Sequence, residues 1–110
     1  MREALDGTPV AVNSVYVTPP GHDIALLNGV LQLLEPADGH GRRLPIDFFF
    51  RSLAQDRGER AIVVVLSGTG SDGTVGVRAV KAAGGMAVAQ LPETAEYDGM
   101  PASAPPVWWI

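Results

Sequence analysis

Six consecutive apolar residues, Ala61-Ile62-Val63-Val64-Val65-Leu66, run directly into Ser67-Gly68-Thr69-Gly70-Ser71-Asp72-Gly73. A continuous run rich in β-branched residues predicts a strand buried on both faces, because a half-exposed strand alternates. The loop after it carries three glycines, and Thr74 to Ala83 reads as a helix. Strand, glycine turn and helix at this spacing constrain the chain to an α/β fold. The same pattern sets one carboxylate, Asp72, at the C-terminal edge of a central strand and beside a helix start. That edge is where ligands and chemistry collect in open α/β sheets. Upstream of the loop, nothing offers the nucleophile and base that such a carboxylate would serve.

The flanking segments fill in the rest. Ser14 to Val17 reads as a short strand stopped by Thr18-Pro19-Pro20-Gly21. Asp23–Leu27 and Val30–Leu34 are apolar runs joined by Asn28-Gly29, whose two residues suit the positive-φ positions of a type I′ hairpin turn. Pro45 suits the first turn of a helix, and Ile46, Phe49, Phe50 and Leu53 recur at helical spacing until Gly58. In the helix after the glycine loop, Val75, Ala79, Ala82 and Ala83 make the expected packing face, and Gly84-Gly85 end it. Met86 to Gln90 reads as a further strand, so residues 61–90 form one βαβ unit. Residues 1–13 carry no clear signal, Leu91 to Gly99 reads as a loop, and Val107-Trp108-Trp109-Ile110 is an apolar tail. The expected core is Ile46, Phe49, Phe50, Leu53, Val63, Val65, Leu66, Val75 and Val88.

With 110 residues, 46% of them apolar, the chain can pack one small domain. A net charge of −4 and a pI near 4.9 argue against nucleic acid as a partner. Five of its eight basic residues, Arg42, Arg43, Arg51, Arg57 and Arg60, cluster within residues 42–60 and read as a solvated face. The absence of cysteine removes disulfides and thiolate chemistry, in keeping with a cytoplasmic location. No run approaches the roughly 20 apolar residues of a membrane span, and no apolar signal segment follows Met1-Arg2.

Gly68-Thr69-Gly70-Ser71-Asp72-Gly73 also fits G-x-G-x-x-G, with Glu93 where a ribose-binding acid would stand. Against a dinucleotide stands Asp72, which would compete for the helix amides that a pyrophosphate needs. Two like charges about 4 Å apart oppose each other by about 4 kcal/mol at an effective dielectric near 20. The plainest reading of Asp72 is an N-cap of the helix that follows it, which does not prevent it from orienting a histidine. Ser71 lacks the G-x-S-x-G frame of a nucleophile, because position 69 is threonine. His22 and His40 lie in polar surroundings with no metal-ligand spacing to a partner, so no metal or other cofactor is expected.

Four ordered motifs give the chain a resemblance. These are Val15-Tyr16-Val17-Thr18-Pro19-Pro20, Arg43-Leu44-Pro45-Ile46-Asp47-Phe48-Phe49-Phe50-Arg51-Ser52-Leu53-Ala54, Val65-Leu66-Ser67-Gly68-Thr69-Gly70-Ser71-Asp72-Gly73 and Asp98-Gly99-Met100-Pro101. Together, over residues 9–104, they resemble the C-terminal catalytic domain of the CheB protein-glutamate methylesterases. The second motif looks like the version found in fusions with CheR-type methyltransferases.

The resemblance implies a three-layer, mostly parallel, doubly wound sheet with an antiparallel hairpin. It also implies hydrolysis of glutamate methyl esters on chemotaxis receptors, with glutamine deamidation in many members. In such a serine–histidine–aspartate mechanism Asp72 takes the place of the aspartate. The Thr69 amide takes a place in the oxyanion hole, where methionine is more usual. Gly68, Gly70, Ser71 and Gly73 complete the active-site loop.

The family's serine and histidine lie N-terminal to the matched segment, and neither His22 nor His40 stands at the histidine position. Residues 1–110 thus read as a partial, truncated domain whose tail, 105–110, diverges from the family. The remaining portion, or a fused CheR-type or regulatory domain, becomes an expected partner alongside the receptors. The alternative from a different class is a non-catalytic remnant that binds a receptor or partner chain.

Overall fold

Helix α1 (Pro45–Arg57) is amphipathic on two sides, and that double character organises the structure. The computed structural model describes residues 1–36 and 44–110. Phe50 and Ala54, four residues apart, are buried against one cluster, while Phe49 and Leu53 also reach a second. The first cluster joins α1 to β6 (Ile62–Val65), α2 (Thr74–Ala82) and β7 (Met86–Ala89) through Val63, Val65, Val77, Val80, Ala87 and Ala89. The second joins it to Ala4, Leu26 and Leu31 of the N-terminal part.

That N-terminal part is an antiparallel sheet in the order β2 (Thr8–Pro9), β5 (Val30–Leu34), β4 (Asp23–Leu27), with a small parallel pair, β1 (Arg2–Glu3) and β3 (Tyr16–Val17). Residues 1–13 therefore contribute two short strands that their sequence did not announce. The expected hairpin is present, with Asn28 and Gly29 at φ 51° and 75°. Asp56 of α1 fixes its tip by accepting the amides of Asn28 and, at 3.1 Å, Gly29, while the Arg57 Nε lies 3.2 Å from the same carboxylate. Asp56→Ala leaves both amides without that acceptor, so a loss of about 2 kcal/mol is expected in denaturant unfolding. A loss below about 0.5 kcal/mol would show that water replaces the carboxylate at no net cost.

The parallel sheet runs β6–β7–β8, with β8 at Trp108–Trp109. Strand β6, α2 and β7 form the expected βαβ unit, in register from Ile62↔Met86 to Val65↔Ala89. Burial differs from expectation in four places. Strand β6 alternates, with Val63 and Val65 buried but Ile62 64% and Val64 48% exposed. The helices pack on one face only, and among the described residues nothing covers the other. Leu66 lies on that open face and is 54% exposed. Helix α2 buries Gly76, Val77 and Val80 rather than Val75, Ala82 and Ala83. Glycine at 76 lets α2 approach α1 so closely that a Cβ there would sit 2.5 Å from the Phe50 Cβ, and this contact sets the rotation of α2. Phe49 and Val88, both expected in the core, are only partly buried, whereas Phe50 is buried as expected.

The apolar tail folds back. Val88 and Ala89 pair with Trp108 and Trp109, the Ile110 amide donates to the Ala89 carbonyl, and the Leu91 amide donates to Ile110. The side chains of Trp108, Trp109 and Ile110 stay exposed. Arg51 and Arg60 are solvated as expected, whereas Arg42, Arg43 and His40 lie outside the described residues.

Candidate active site

Asp72 does cap a helix, but not its own. The N-cap of α2 is Gly73, at φ 99° and without a side-chain bond. That left-handed turn sends the Asp72 carboxylate across to the start of α1. There Leu44 offers no cap, which leaves the first amides of α1 open. Asp72 Oδ2 accepts the Ile46 amide at 2.9 Å and Oδ1 accepts the Asp47 amide at 2.8 Å. The favour is returned by Asp47, whose Oδ1 accepts the Gly76 amide of α2 at 2.7 Å. Two helix N-termini thus meet, each neutralised by a carboxylate from the other's side. A carboxylate has about four acceptor positions, so Asp72, which uses two on these amides, keeps capacity for a further donor.

The other half of the loop is held by residues 97–100. The Gly68 amide donates to the Tyr97 carbonyl at 2.8 Å, and the Met100 amide donates to Gly68 at 2.9 Å. The Ser67 hydroxyl donates to the Tyr97 carbonyl and accepts the Tyr97 amide. A Cβ at Gly68 would meet the Met100 sulfur at 2.5 Å, and one at Gly99 would meet the Gly70 backbone at 2.7 Å. Gly99 is therefore required by its contact with the Gly70 backbone, whereas a side chain at Gly68 would displace that of Met100. Pro101 sits in a short helix, α3 (Gly99–Ser103), in a stretch whose preceding loop also contains a 3₁₀ turn at Pro92–Thr94. The Thr74 hydroxyl ties α2 to this helix through Ser103. Thr69 and Ser71 are exposed between these anchors, and Gly70 is at φ 81°.

Beside the α1 start opens a cleft of about 280 Å³, lined by Thr18, His22, Asp23, Ile24, Ile46 and Phe50 among others. His22 is less solvated than its sequence context implied. Its Nδ1 lies 3.1 Å from the Pro20 carbonyl, and its Nε2 is 3.8 Å from Glu35. A larger groove of about 760 Å³ follows α1 and α2 past Phe48, Gln55 and Ala83, and shares no residue with the loop.

The Gly76 amide is already taken by Asp47 and a carboxylate lies at each helix start, which opposes a pyrophosphate there. The expected objection to a dinucleotide runs through Asp72, but Asp72 bonds only α1 amides, and it is Asp47 that takes an α2 amide. What the loop and its anchors belong to is decided by the family profile described as CheB methylesterase, which matches residues 1–106. The chain belongs to the CheB methylesterase family.

A protein of Anaeromyxobacter dehalogenans named protein-glutamate methylesterase/protein-glutamine glutaminase 6 is 46% identical over 93% of this chain and 31% of its own length. A Rhodobacter capsulatus protein, named "Uncharacterized 104.1 kDa protein in hypE 3'region", is 52% identical over 90% of this chain and 10% of its own. The crystal structure of the Thermotoga maritima CheB methylesterase catalytic domain superposes with a TM-score of 0.80 at 34% identity, over 93% of this chain and 56% of that one. This CheB-type chain thus spans little more than half of the solved domain and about a third or less of these two relatives. The α/β fold, with a parallel sheet and an antiparallel hairpin, is shared, although in this chain helices cover only one face of the parallel sheet where a doubly wound sheet has them on both.

Among the residues brought together at this candidate site, the sequence singled out Asp72 and the glycines but missed Asp47. As an acidic residue in the first turn of a helix, Asp47 looked like an ordinary surface position. Only its helical spacing to Phe50 and Ala54, three and seven residues on, could have marked it as buried.

Proposed function

We propose that this chain is the C-terminal part of a protein-glutamate methylesterase that hydrolyses glutamate methyl esters on chemotaxis receptors and deamidates receptor glutamines. The observation that carries the reading is the anchoring of Asp72. Both carboxylate oxygens are held by backbone amides at a sheet edge, with acceptor capacity to spare. A carboxylate fixed in this way can hold an imidazole in one tautomer and stabilise its protonated form while a serine attacks the ester carbonyl. The proton taken from that serine is then returned to the leaving methoxide, giving methanol and an acyl-enzyme that water hydrolyses. The backbone amide of the exposed Thr69, next to the hydrogen-bonded Gly68, is the proposed donor to the oxyanion.

In this reading the serine and histidine come from polypeptide N-terminal to the matched segment. The length of the relatives agrees with further domains, such as a CheR-type or regulatory partner. A cytoplasmic location follows from the same reading, and among the described residues no helix is long and apolar enough to cross a membrane.

The test is methanol release from a methyl-esterified receptor. The 110 residues alone are expected to give none above the buffer rate, because triad members act as a unit. Preceded by the serine- and histidine-bearing portion of the domain, the same segment is expected to support turnover that Asp72→Asn lowers by about 10³- to 10⁴-fold. Release by the segment alone, blocked by a serine-directed inhibitor, would point instead to Ser67 or Ser71.

A further inference from the structure

Among the described residues Asp47 is the one buried charged side chain, 6% exposed, and the proposed mechanism gives it no task. It touches the site twice. Its backbone amide donates to Asp72 Oδ1 at 2.8 Å, and its own Oδ1 accepts the Gly76 amide at 2.7 Å, four residues beyond Asp72. Between β6 and α2 the loop contains Gly68, Gly70 and Gly73, with φ of 81° and 99° at the last two. Such a backbone has little stiffness of its own, so Asp72 depends on external ties. At Gly76 a Cβ would lie 3.2 Å from the Asp47 Cα, which shows how little slack remains between the two helix starts.

We infer that Asp47 is a positioning residue for Asp72. It closes a ring in which α1 holds the Asp72 carboxylate and the Asp47 carboxylate holds the first turn of α2, so the two ends of the 72–76 turn cannot shift relative to α1. The inference rests on the proposed role of Asp72. Removing the side-chain tie lets the Asp72 carboxylate drift while both helices persist. Displacement of a catalytic group by about 1 Å lowers rates by about 10²-fold.

The test measures kcat and KM for methanol release in the complete methylesterase domain containing this segment, for Asp47→Ala, Asp47→Asn, Asp72→Asn and the Asp47→Ala/Asp72→Asn pair. Asp47→Ala is expected to lower kcat by about 10- to 100-fold with KM unchanged. Asp47→Asn keeps an oxygen for the Gly76 amide and should stay within about threefold of the parent. In the Asp72→Asn background, Asp47→Ala should lower kcat no further, since it acts only through Asp72.

A residue that merely caps α2 would lower thermal stability equally in both backgrounds and leave kcat of the folded enzyme alone. That result overturns the inference. If Asp47→Ala does not fold, Asp47→Asn decides: a fall in its kcat as large as that of Asp72→Asn rejects the hydrogen-bonded tie. Unchanged kcat in Asp72→Asn rejects instead the reading of the reaction itself.

Discussion

Asp72→Asn, in a complete domain that supplies the serine and histidine, is expected to lower kcat for ester hydrolysis by about 10³- to 10⁴-fold, as replacing an imidazole-orienting carboxylate does in serine hydrolases. The structure adds a consequence that sequence alone did not foresee. Both Asp72 oxygens accept backbone amides, from Ile46 and Asp47. Asparagine keeps one oxygen and turns an NH₂ group toward the other amide, donor against donor. Stability should therefore fall as well, by about 1–3 kcal/mol. Rates must be compared at a temperature where circular dichroism shows the variant folded. Under those conditions a KM close to the parent's and a kcat reduced by three orders of magnitude or more support an orienting role. A kcat reduced less than tenfold would leave Asp72 as a cap for α1 and nothing more.

The contrast between what the sequence revealed and what it concealed has a physical basis. Strand β6, helix α1, the Asn28-Gly29 hairpin and the glycine loop were legible because local rules determine them. Apolar continuity, a proline at a helix start and an Asn-Gly pair act within a few residues. What escaped was set by contacts between segments distant in the chain. The rotation of α2 follows from Gly76 meeting Phe50, 26 residues earlier, and no periodicity within α2 encodes that. Asp72 capping α1 rather than α2 has the same origin, because the empty cap at Leu44 is remote in sequence.

The alternation of β6 was missed for a different reason. Its composition suits a strand covered on both faces, and the exposed Ile62, Val64 and Leu66 keep that composition while one face stays open. The Thermotoga maritima domain, of which this chain spans 56%, is the natural place to look for polypeptide that would cover such a face.

Phe50→Ala is expected to be the most destabilising single truncation, at about 3–5 kcal/mol in equilibrium unfolding. Phe50 is only 8% exposed and packs in the cluster shared by α1, α2, β6 and β7. Its Cβ faces Gly76, where the helices already touch, so the backbone has no freedom to close around the lost ring. The void therefore persists, and its cost adds to that of the lost apolar contact.

The neighbouring Phe49 provides the control. Its ring lies 6.3 Å from that of Phe50, but it is half-buried between the two clusters. Phe49→Ala should cost about 2 kcal/mol, the value of partial burial without a trapped void. The order of the two variants is the informative quantity, because both remove the same atoms from the same helix. If Phe49→Ala proved the more damaging, α1 would have to be rotated toward the hairpin. The Asp47–Gly76 contact on its Phe50 side could not then hold the loop that carries Asp72.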